Sequence, residues 1–372
     1  MYLKDLVDIQ MGQSPDSKFY NNDKIGLPFY QGKADFGRIN PIPKIWCSKS
    51  KKEAKPNDIL ISVRAPVGDL NINNEQSCIG RGLAAITCKS DVDMMYLYYH
   101  LKYLKPQLRH ISTGSTFESI NRSQLENLII DYKPYSEQIK ISNILQVVQR
   151  QIEVREKLLR LYDLLIKSRF DELFLNTHSI ETIEIGELFE VGSSKRILQS
   201  ELITYGIPFY RVTDLINRIN GRPVDIKQYV DELKYMILIK EKYVPQAGDF
   251  LITARGTIGK IYEVKQNDKF YFQDGMITWL KRKNNYINNL FFMELVKTDW
   301  FRRQFYSSNN GTTISYLSIT DTRHLKVLLP TLNLQLQFAQ EVYQINKLKS
   351  DVQKSIDETQ LLMDSLMQEY FG

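Results

Sequence analysis

The apolar positions in the first half of this chain form short runs followed by one helical repeat. Residues 58–64 make a β-branched, apolar run preceded by a turn signal at 55–58, and residues 83–88 make a second such run. Residues 94–105 instead carry apolar side chains at helical spacing and end before Pro106. The pattern predicts a mixed α/β module with buried strands and a surface helix.

The second half of the chain repeats this pattern. Residues 59–68 are ILISVRAPVG and residues 250–259 are FLITARGTIG, an offset of 191 residues. Strands are accordingly predicted at 249–255 and 276–280, with a helix at 287–305. Further matches are PFY at 28–30 and 208–210, Gly82 with Gly275, and TGST at 113–116 with NGTT at 310–313. An internal repeat of this kind predicts two equivalent modules.

A long helical segment follows each module. Apolar residues recur at spacings of three and four through 135–174 and 334–371, with polar breaks at Arg155, Arg169 and Thr359. This is the seam of a coiled coil, and forty helical residues span about 60 Å. We expect the two helices to pack antiparallel as a two-stranded spacer, because a long narrow seam needs a partner. The alternative is two independent surface helices.

Charge differs between these segments. We divide the chain into a first module (1–133), a central helix (134–175), a second module (176–330) and a C-terminal helix (331–372). Lys and Arg exceed Asp and Glu by four in each module, whereas the central helix has an excess of one and the C-terminal helix is acidic. This distribution is compatible with modules that bind a polyanion and equally with an ordinary solvated surface.

Composition narrows the class of protein. No apolar run approaches the ~18 residues of a membrane span, and the start lacks a signal-peptide pattern. Three cysteines without CxxC spacing and four histidines argue against a structural zinc site. We expect a cytoplasmic protein with reduced thiols. Most of its 22 tyrosines and 17 phenylalanines are expected in the cores.

A specific resemblance emerges from two adjacent motifs. PNDILISVRAPVG at 56–68, followed by CIGRGLAAI at 78–86, resembles the target-recognition domain of type I restriction–modification specificity subunits. TGST at 113–116, LENL at 125–128 and PYSEQ at 134–138 then lead into the helix, as in that family. The resemblance covers the whole chain in the right order. The second copy departs from it, with RGTIG in place of RAPVG and Leu334-Gln335 in place of Glu137-Gln138.

The resemblance implies an α+β fold with two tandem target-recognition domains, each followed by a long helix. The helices would form an antiparallel coiled coil, and the internal repeat would have pseudo-twofold symmetry. It also implies a non-catalytic subunit whose domains each bind one half of a split, asymmetric double-stranded DNA site. The helices would set the spacer and dock methyltransferase subunits, two in number, which bring S-adenosylmethionine. Restriction subunits that use ATP and Mg²⁺ can join such an assembly, which is found in bacteria and archaea.

The motifs missing from the chain agree with a subunit that has no cofactor and no active site. We find no Asn/Asp-Pro-Pro-Tyr/Phe segment of an amino-methyltransferase, no GxGxxG and no GxxxxGK[ST]. A self-sufficient methyltransferase is therefore disfavoured. Two alternatives stay open: the specificity chain of a type IIB/IIG-like or orphan methylase system, and a coiled-coil interaction scaffold without DNA binding.

Candidate DNA-binding residues lie in the loops between predicted strands. Arg and Lys bond guanine, Gln and Asn bond adenine, and Ser and Thr bond phosphates. Arg64 and Arg255 end the same strand in both copies, although each could instead pair with Asp58 or Asp249 or cap a carbonyl. The Ser/Thr pairs could be helix or turn caps, and residues 49–55 a solvated loop. The candidates are Gln31, Lys33, Arg38, Arg64, Arg81, Ser115, Thr116, Arg211, Thr213, Arg218, Arg255, Gln273, Thr312 and Thr313.

Overall fold

The structure, a computed structural model, describes residues 1–112, 119–176, 180–305 and 316–372. It contains two compact units. Unit 1 consists of Met1–Lys157 and Gln353–Gly372, and unit 2 consists of Leu158–Val352. Within the described ranges, no helix is long and apolar enough to cross a membrane.

Unit 1 begins with a short helix and then consists mainly of strands. Its strands are β1 (Val7–Met11), β2 (Tyr20–Asn21), β3 (Leu27–Tyr30), β4 (Trp46–Cys47), β5 (Glu53–Ala54), β6 (Ile59–Ser62), β7 (Leu70–Ile72), β8 (Ser77–Ile79) and β9 (Leu83–Cys88). Its helices are α1 (Leu3–Leu6), α2 (Met94–Tyr103), α3 (Lys105–Ile111), α4 (Arg122–Glu126) and the first part of α5 (Tyr135–Phe170).

Two sheets make up unit 1. The first has the order β1-β9-β6-β7 with antiparallel neighbours, and the second has the order β2-β4-β3-β8-β5, in which β3 and β8 run parallel. Strand β6 is buried on both faces: Ile59 and Ile61 pack into the core beneath the helices, whereas Leu60 packs with Tyr30 of the second sheet. Because successive side chains point to opposite faces, this explains why its sequence is continuously apolar.

Unit 2 follows the same plan. Its strands are β10 (Thr182–Glu184), β11 (Phe189–Gly192), β12 (Leu202–Ile203), β13 (Ile207–Tyr210), β14 (Tyr229–Val230), β15 (Phe250–Thr253), β16 (Ile261–Glu263), β17 (Tyr271–Phe272), β18 (Ile277–Arg282) and β19 (Lys326–Leu328). Its helices are α6 (Ile185–Leu188), α7 (Val212–Ile219), α8 (Glu232–Lys240), α9 (Asn289–Leu295), α10 (Asp299–Arg302), α11 (Ile319–His324) and the first part of α12 (Leu332–Phe371). The last part of α5 and a π-helical turn, Asp171–Leu175, also belong to this unit.

The sheet order of unit 2 matches that of unit 1. The two sheets that correspond are β11-β18-β15-β16 and β12-β14-β13-β17, with β13 and β17 parallel. A further two-stranded sheet pairs β10 with β19. Strand β15 is again buried on both faces, with Phe250 and Ile252 in one core and Leu251 in another. The repeat found in the sequence is therefore a repeat of topology, and the predicted α+β class with two similar domains and long helices is confirmed.

Within each unit the two long helices contact each other. In unit 1 the beginning of α5, at Ile141 and Leu145, shares a buried cluster with Met363 and Met367 near the end of α12. In unit 2 the end of α5 packs against the beginning of α12, and the ring centroids of Phe170 and Phe338 lie 5.4 Å apart. In each unit, the beginning of one long helix therefore contacts the end of the other.

A buried glutamine anchors the first turn of each long helix. Gln138 is 0% exposed; its Oε1 accepts a hydrogen bond from the Asp93 N–H at 2.9 Å, and its amide donates to the Asp91 and Lys133 carbonyls. Gln335, also 0% exposed, accepts from the Asn288 N–H at 2.7 Å. Asp93 and Asn288 are the N-caps of α2 and α9, which occupy equivalent places in the two units. Each glutamine therefore connects the start of a long helix to the start of this shorter helix.

The structure corrects the predicted surface helix of the first module. Helix α2 ends at Tyr103, but the chain then starts a second helix, α3, with Pro106 in its first turn. Proline is tolerated there because the N–H groups of a first turn have no intrahelical partner. In the loop predicted at 49–55, Glu53–Ala54 forms strand β5.

The helix predicted at 287–305 is interrupted. Helix α9 ends at Leu295, and Thr298 then caps α10 by accepting from the Phe301 N–H at 3.2 Å. A 3₁₀ turn, Arg303–Phe305, follows. Phe291 and Phe292 before the break and Phe301 after it all face the same core. The apolar periodicity therefore continues across the break, and the sequence pattern alone did not reveal the interruption.

Candidate nucleic-acid interface

Four loops of unit 1 meet at one edge of its sheets. The carboxyl end of β6 lies opposite the start of β9, since Ser62 pairs with Leu83. β1 also ends at this edge, because the Gly12 N–H donates to the Leu83 carbonyl at 2.9 Å. The parallel strands β3 and β8 end there too, and the Gly80 N–H donates to the Tyr30 carbonyl at 2.8 Å.

This edge brings together three of the residues selected from the sequence. Gln31 follows β3, Arg64 follows β6 and Arg81 lies between β8 and β9; all three are exposed. Gly82 allows the close approach of these loops, because a Cβ at this position would lie 2.3 Å from the Gln31 carbonyl oxygen. Arg81 and Gly82 form a turn that leads into β9.

Unit 2 has the matching edge. The Ala254 N–H donates to the Met276 carbonyl at 2.9 Å, and the Gln273 N–H donates to the Tyr210 carbonyl at 3.0 Å. Arg211 therefore follows β13, Arg255 follows β15 and Gln273 follows β17, in the same places as the unit 1 loops. Arg211 and Arg255 are exposed, and Gln273 is half-buried.

The two repeated arginines do not form the salt bridges considered as an alternative. Asp58 is buried and accepts from the Lys55 N–H and the Thr87 hydroxyl, both at 2.7 Å. Asp249 is buried and accepts from the Trp279 indole N–H at 3.0 Å. These aspartates stabilise the turns that precede β6 and β15, and the exposed arginines lie at the other end of each strand.

Arg64, Arg81 and Arg255 share a feature that Lys33, Arg38 and Arg218 lack. Among the described residues, none of the three guanidinium groups has a carboxylate partner. The guanidinium of Arg255 lies 4.4 Å from the ring centroid of Tyr316, which orients the group without neutralising it. Exposed guanidinium groups in this state can donate hydrogen bonds to a phosphate or to the edge of a base.

Two other candidates of unit 1 are engaged within the protein. Lys33 Nζ lies 3.0 Å from Asp69 Oδ2, and Lys105 Nζ lies 2.6 Å from Asp69 Oδ1. Burial alone would raise the pKa of the Asp69 carboxyl, but the bonds to Lys105 and Lys33 outweigh it, so the pKa lies below its usual value. Arg38 forms ion pairs with Glu153 and Glu156 of α5, the latter at 3.0 Å. Their side chains hold loop 31–38 against α3 and α5.

Arg218 belongs to a polar cluster in unit 2. Its Nε donates to the Tyr262 hydroxyl at 2.8 Å, and its guanidinium pairs with Asp268, whose side chain is 3% exposed. Burial raises the pKa of the Tyr262 hydroxyl to about 12. Asp268 also accepts from the Lys265 N–H at 2.7 Å, so this cluster fixes the loop between β16 and β17.

Arg211 and Thr213 line an open cavity of about 590 Å³ beside the unit 2 edge. The Arg211 guanidinium donates to the Gln199 and Gln228 side chains, at 3.3 and 2.5 Å. Both partners are neutral amides, so the positive charge stays available to an anion. Thr213 is exposed in the first turn of α7. The remaining candidates, Ser115, Thr116, Thr312 and Thr313, lie outside the described residues.

Sequence reasoning missed polar groups that follow β1 in unit 1 and β11 in unit 2. The Ser14 hydroxyl accepts from the Arg81 N–H at 3.3 Å, and the Ser193 hydroxyl accepts from the Gly275 N–H at 3.2 Å. Arg196 is exposed in the same segment of unit 2, and none of the described carboxylates pairs with it. A small or polar stretch directly after a strand, GQS at 12–14 and GSS at 192–194, was the available signal.

The described side chains contain no group of three or more His, Cys, Asp or Glu that could hold a metal ion. The three cysteines are free, as predicted, and Cys47 and Cys78 are buried. Burial raises the pKa of the Cys78 thiol to about 12.

Comparison with known proteins identifies close counterparts of this arrangement. The profile of the family described as the type I restriction modification DNA specificity domain matches residues 1–160 and 178–358. The chain is 24% identical over 366 residues to the type I restriction enzyme MjaIX specificity subunit of Methanocaldococcus jannaschii, across 88% of this chain and 82% of that relative. It is 45% identical over 150 residues to a protein of the same organism named as an MjaX specificity subunit, an alignment that covers 40% of this chain and only 35% of that relative.

Among solved structures, the chain is similar to the S subunit of a type I restriction-modification system from M. genitalium. The similarity covers 100% of this chain and 95% of that one, with a TM-score of 0.57 and 18% sequence identity. At this identity the similarity bears on the fold alone, and it supports the two repeated domains joined by long helices.

Proposed function

This chain belongs to the type I restriction modification DNA specificity domain family, and we propose that it is the sequence-specificity subunit of a type I restriction–modification complex. Each unit binds one half of a split, asymmetric site in double-stranded DNA. The domain limits expected from the sequence, 1–133 and 176–330 for recognition and 134–175 and 331–372 for the helices, are part of this proposal.

One observation carries the proposal: the same loop edge occurs in both units and presents an unpaired arginine at the same place. Arg64 and Arg255 each follow the central buried strand of their sheet, and neither has a carboxylate partner among the described residues. An exposed, unpaired guanidinium that recurs in both copies of the repeat is not required by either core. Phosphate and base edges satisfy it, and two such edges suit a site with two halves.

The helices supply the second part of the function. We propose that α5 and α12 form an antiparallel coiled coil that sets the distance between the half-sites and relates the two units by pseudo-twofold symmetry. The contacts within each unit support this pairing. Apolar side chains such as Val147, Leu161 and Leu361 stay exposed along these helices, and methyltransferase subunits, two in number, are the partners we propose for them.

In this proposal the chain is not an enzyme and holds no cofactor. S-adenosylmethionine is bound by the methyltransferase subunits, and ATP with Mg²⁺ by restriction subunits where these are present. Linking two modest half-site contacts in one rigid chain raises their joint affinity through effective concentration, so neither unit needs to bind tightly.

The decisive test is methyl transfer from S-adenosylmethionine to genomic DNA with mapping of each modified base. This chain, a methyltransferase subunit encoded beside it, and their mixture are assayed separately. We expect methylation of one split sequence in the mixture only. Methylation by this chain alone would reveal an active site of its own, and a mixture without methylation or complex formation would favour the scaffold alternative.

A second test measures the affinity of the full chain for its DNA at several salt concentrations. Arg64→Ala and Arg255→Ala are each expected to weaken binding, and loss of one phosphate contact lowers the salt slope by about 1. Arg38→Ala is the matched control, since that guanidinium already pairs with Glu153 and Glu156. Equal effects of Arg64→Ala and Arg38→Ala would contradict the assignment of the edge.

A further inference from the structure

We propose that Asp274 recognises a base in the half-site bound by unit 2, with its carboxylate accepting a hydrogen bond from the N4 amino group of a cytosine. Arg81 holds the matching position in unit 1 and donates to a guanine. This inference rests on the proposed function and adds to it the chemical identity of one contact in each half-site.

The two residues occupy the same place in the repeated fold. In unit 1 the Gly80 N–H donates to the Tyr30 carbonyl at 2.8 Å, at the end of the parallel pair β3–β8. In unit 2 the Gln273 N–H donates to the Tyr210 carbonyl at 3.0 Å, at the end of the parallel pair β13–β17. Arg81 follows Gly80 and Asp274 follows Gln273, so the two residues match when counted from the preceding strand. The unit 2 loop is one residue longer, since Leu83 and Ile277 hold the matching pairing positions in the next strand. The same loop therefore carries opposite charges in the two units.

Both loops are held from the same side. The Ser14 hydroxyl, after β1, accepts from the backbone N–H of Arg81 at 3.3 Å. The Ser193 hydroxyl, after β11, accepts from the Gly275 N–H at 3.2 Å. Gly275 has a φ of +65°, which lets the unit 2 loop turn immediately after Asp274. The side chains at 81 and 274 therefore extend from backbone that is fixed before any ligand binds.

Among the described residues, no cation pairs with the half-buried carboxylate of Asp274 and no donor bonds it. Lys195, which follows the same strand as Ser193, is paired with Glu241 at 2.7 Å. A carboxylate at a DNA-binding edge is repelled by phosphates. It is favourable there only where it meets a donor, and the donors that a base presents in the major groove are amino groups.

Cytosine fits an acceptor-only group better than adenine does. The cytosine N4 amino group is the single polar group that cytosine presents in the major groove, whereas adenine places the N7 acceptor beside its N6 amino group. A carboxylate directed at adenine would face the N7 lone pair. Arg81 is exposed, and a guanidinium bonds guanine O6 and N7 together. The charge reversal between the loops thus assigns different bases to the two half-sites.

The test is selection of bound duplexes from a randomised DNA pool by the full chain, with sequencing of both half-sites. Asp274→Asn should exchange a cytosine for an adenine at one position of one half-site, because an amide bonds adenine N6 and N7. Asp274→Ala should reduce discrimination at that position by about 5- to 150-fold, the range of one good base contact. Arg81→Ala should relax a guanine in the other half-site only.

Glu190→Gln is the control, since Glu190 is an exposed carboxylate on β11 of the same unit, paired with Lys281 at 3.6 Å, and should leave the selected sequence unchanged. An unaltered selected sequence with tighter binding by Asp274→Ala would overturn the inference, because the carboxylate would then only repel the backbone. In that outcome the proposed function stands, since the unaltered chain still selects a split site. Failure of the unaltered chain to select any sequence would overturn both.

Discussion

Replacing Gln138 with leucine is expected to destabilise unit 1 far more than an ordinary surface change on the same helix. The side chain is 0% exposed and sits in the first turn of α5. It makes three hydrogen bonds, to the Asp93 N–H at 2.9 Å, the Lys133 carbonyl at 2.8 Å and the Asp91 carbonyl at 3.2 Å. Leucine fills a similar volume but leaves all three backbone groups without this partner.

The magnitude follows from those three groups. An unsatisfied buried donor or acceptor costs about 1–3 kcal/mol. Asp91 is exposed, so water reaches its surroundings, and the lower end of the range applies. The free energy of unfolding should therefore fall by about 3 kcal/mol. Burying leucine in place of an amide offsets only part of this, because the amide was already fully hydrogen-bonded.

Urea unfolding of the full chain measures the change, and hydrogen exchange of the peptide that contains Asp93 localises it. Gln146→Leu is the control, because Gln146 is exposed on the same helix, and its change should stay within about 0.5 kcal/mol. Gln335→Leu should reproduce the loss in unit 2, where Gln335 makes the corresponding bonds. If Gln138→Leu and Gln146→Leu were equally stable, the hydrogen bonds would not anchor the helix.

Three further predictions concern acid stability, a polar cluster and the spacer. Burial lowers the pKa of His100 to about 4, so the unfolded chain binds a proton on this histidine at a higher pH than the folded chain does. The free energy of unfolding should therefore fall by about 3 kcal/mol between pH 6.5 and 4. Urea unfolding at each pH should show that His100→Phe lacks this fall. Asp268→Ala removes the acceptor of the Tyr262 hydroxyl and the Lys265 N–H and should lower the free energy of unfolding by about 1–2 kcal/mol. The Arg218 side chain is 37% exposed and stays solvated without its partner, and the selected DNA sequence should not change in a pool-selection assay. Inserting four residues, one helical turn, within 146–167 of α5 and within 346–358 of α12 should lengthen the recognised spacer by about two base pairs, read by methylation mapping. Altered half-sequences would contradict the ruler function.

The sequence by itself determined the repeat and the elements that build it. Buried strands such as β6 and β15 are visible because both faces of each are covered, which makes the run continuously apolar. The long helices are visible because the spacing of apolar residues persists over ten turns. Both signals are local and periodic, so they predicted a repeated mixed α/β module, the long helix after each copy and the loops that form the candidate edge.

Other features depended on residues far apart in the chain. Arg38, Arg64 and Arg218 are equivalent in sequence terms, yet Arg38 pairs with a distant helix, Arg218 with Asp268, and Arg64 with none of the described carboxylates. Whether a charged side chain is available to DNA depends on which partner the fold brings within 4 Å of it, and no local pattern encodes that.

The role of Gln138 and Gln335 was likewise decided only in three dimensions. Each lies beside other polar residues in the first turn of its helix, where a glutamine would ordinarily face solvent. Burial becomes favourable because the backbone of a second helix end, at Asp93 or Asn288, lies within hydrogen-bonding distance. Periodicity reports which face of an element is apolar, whereas the geometry of unpaired backbone groups and charges arises only when the elements pack together.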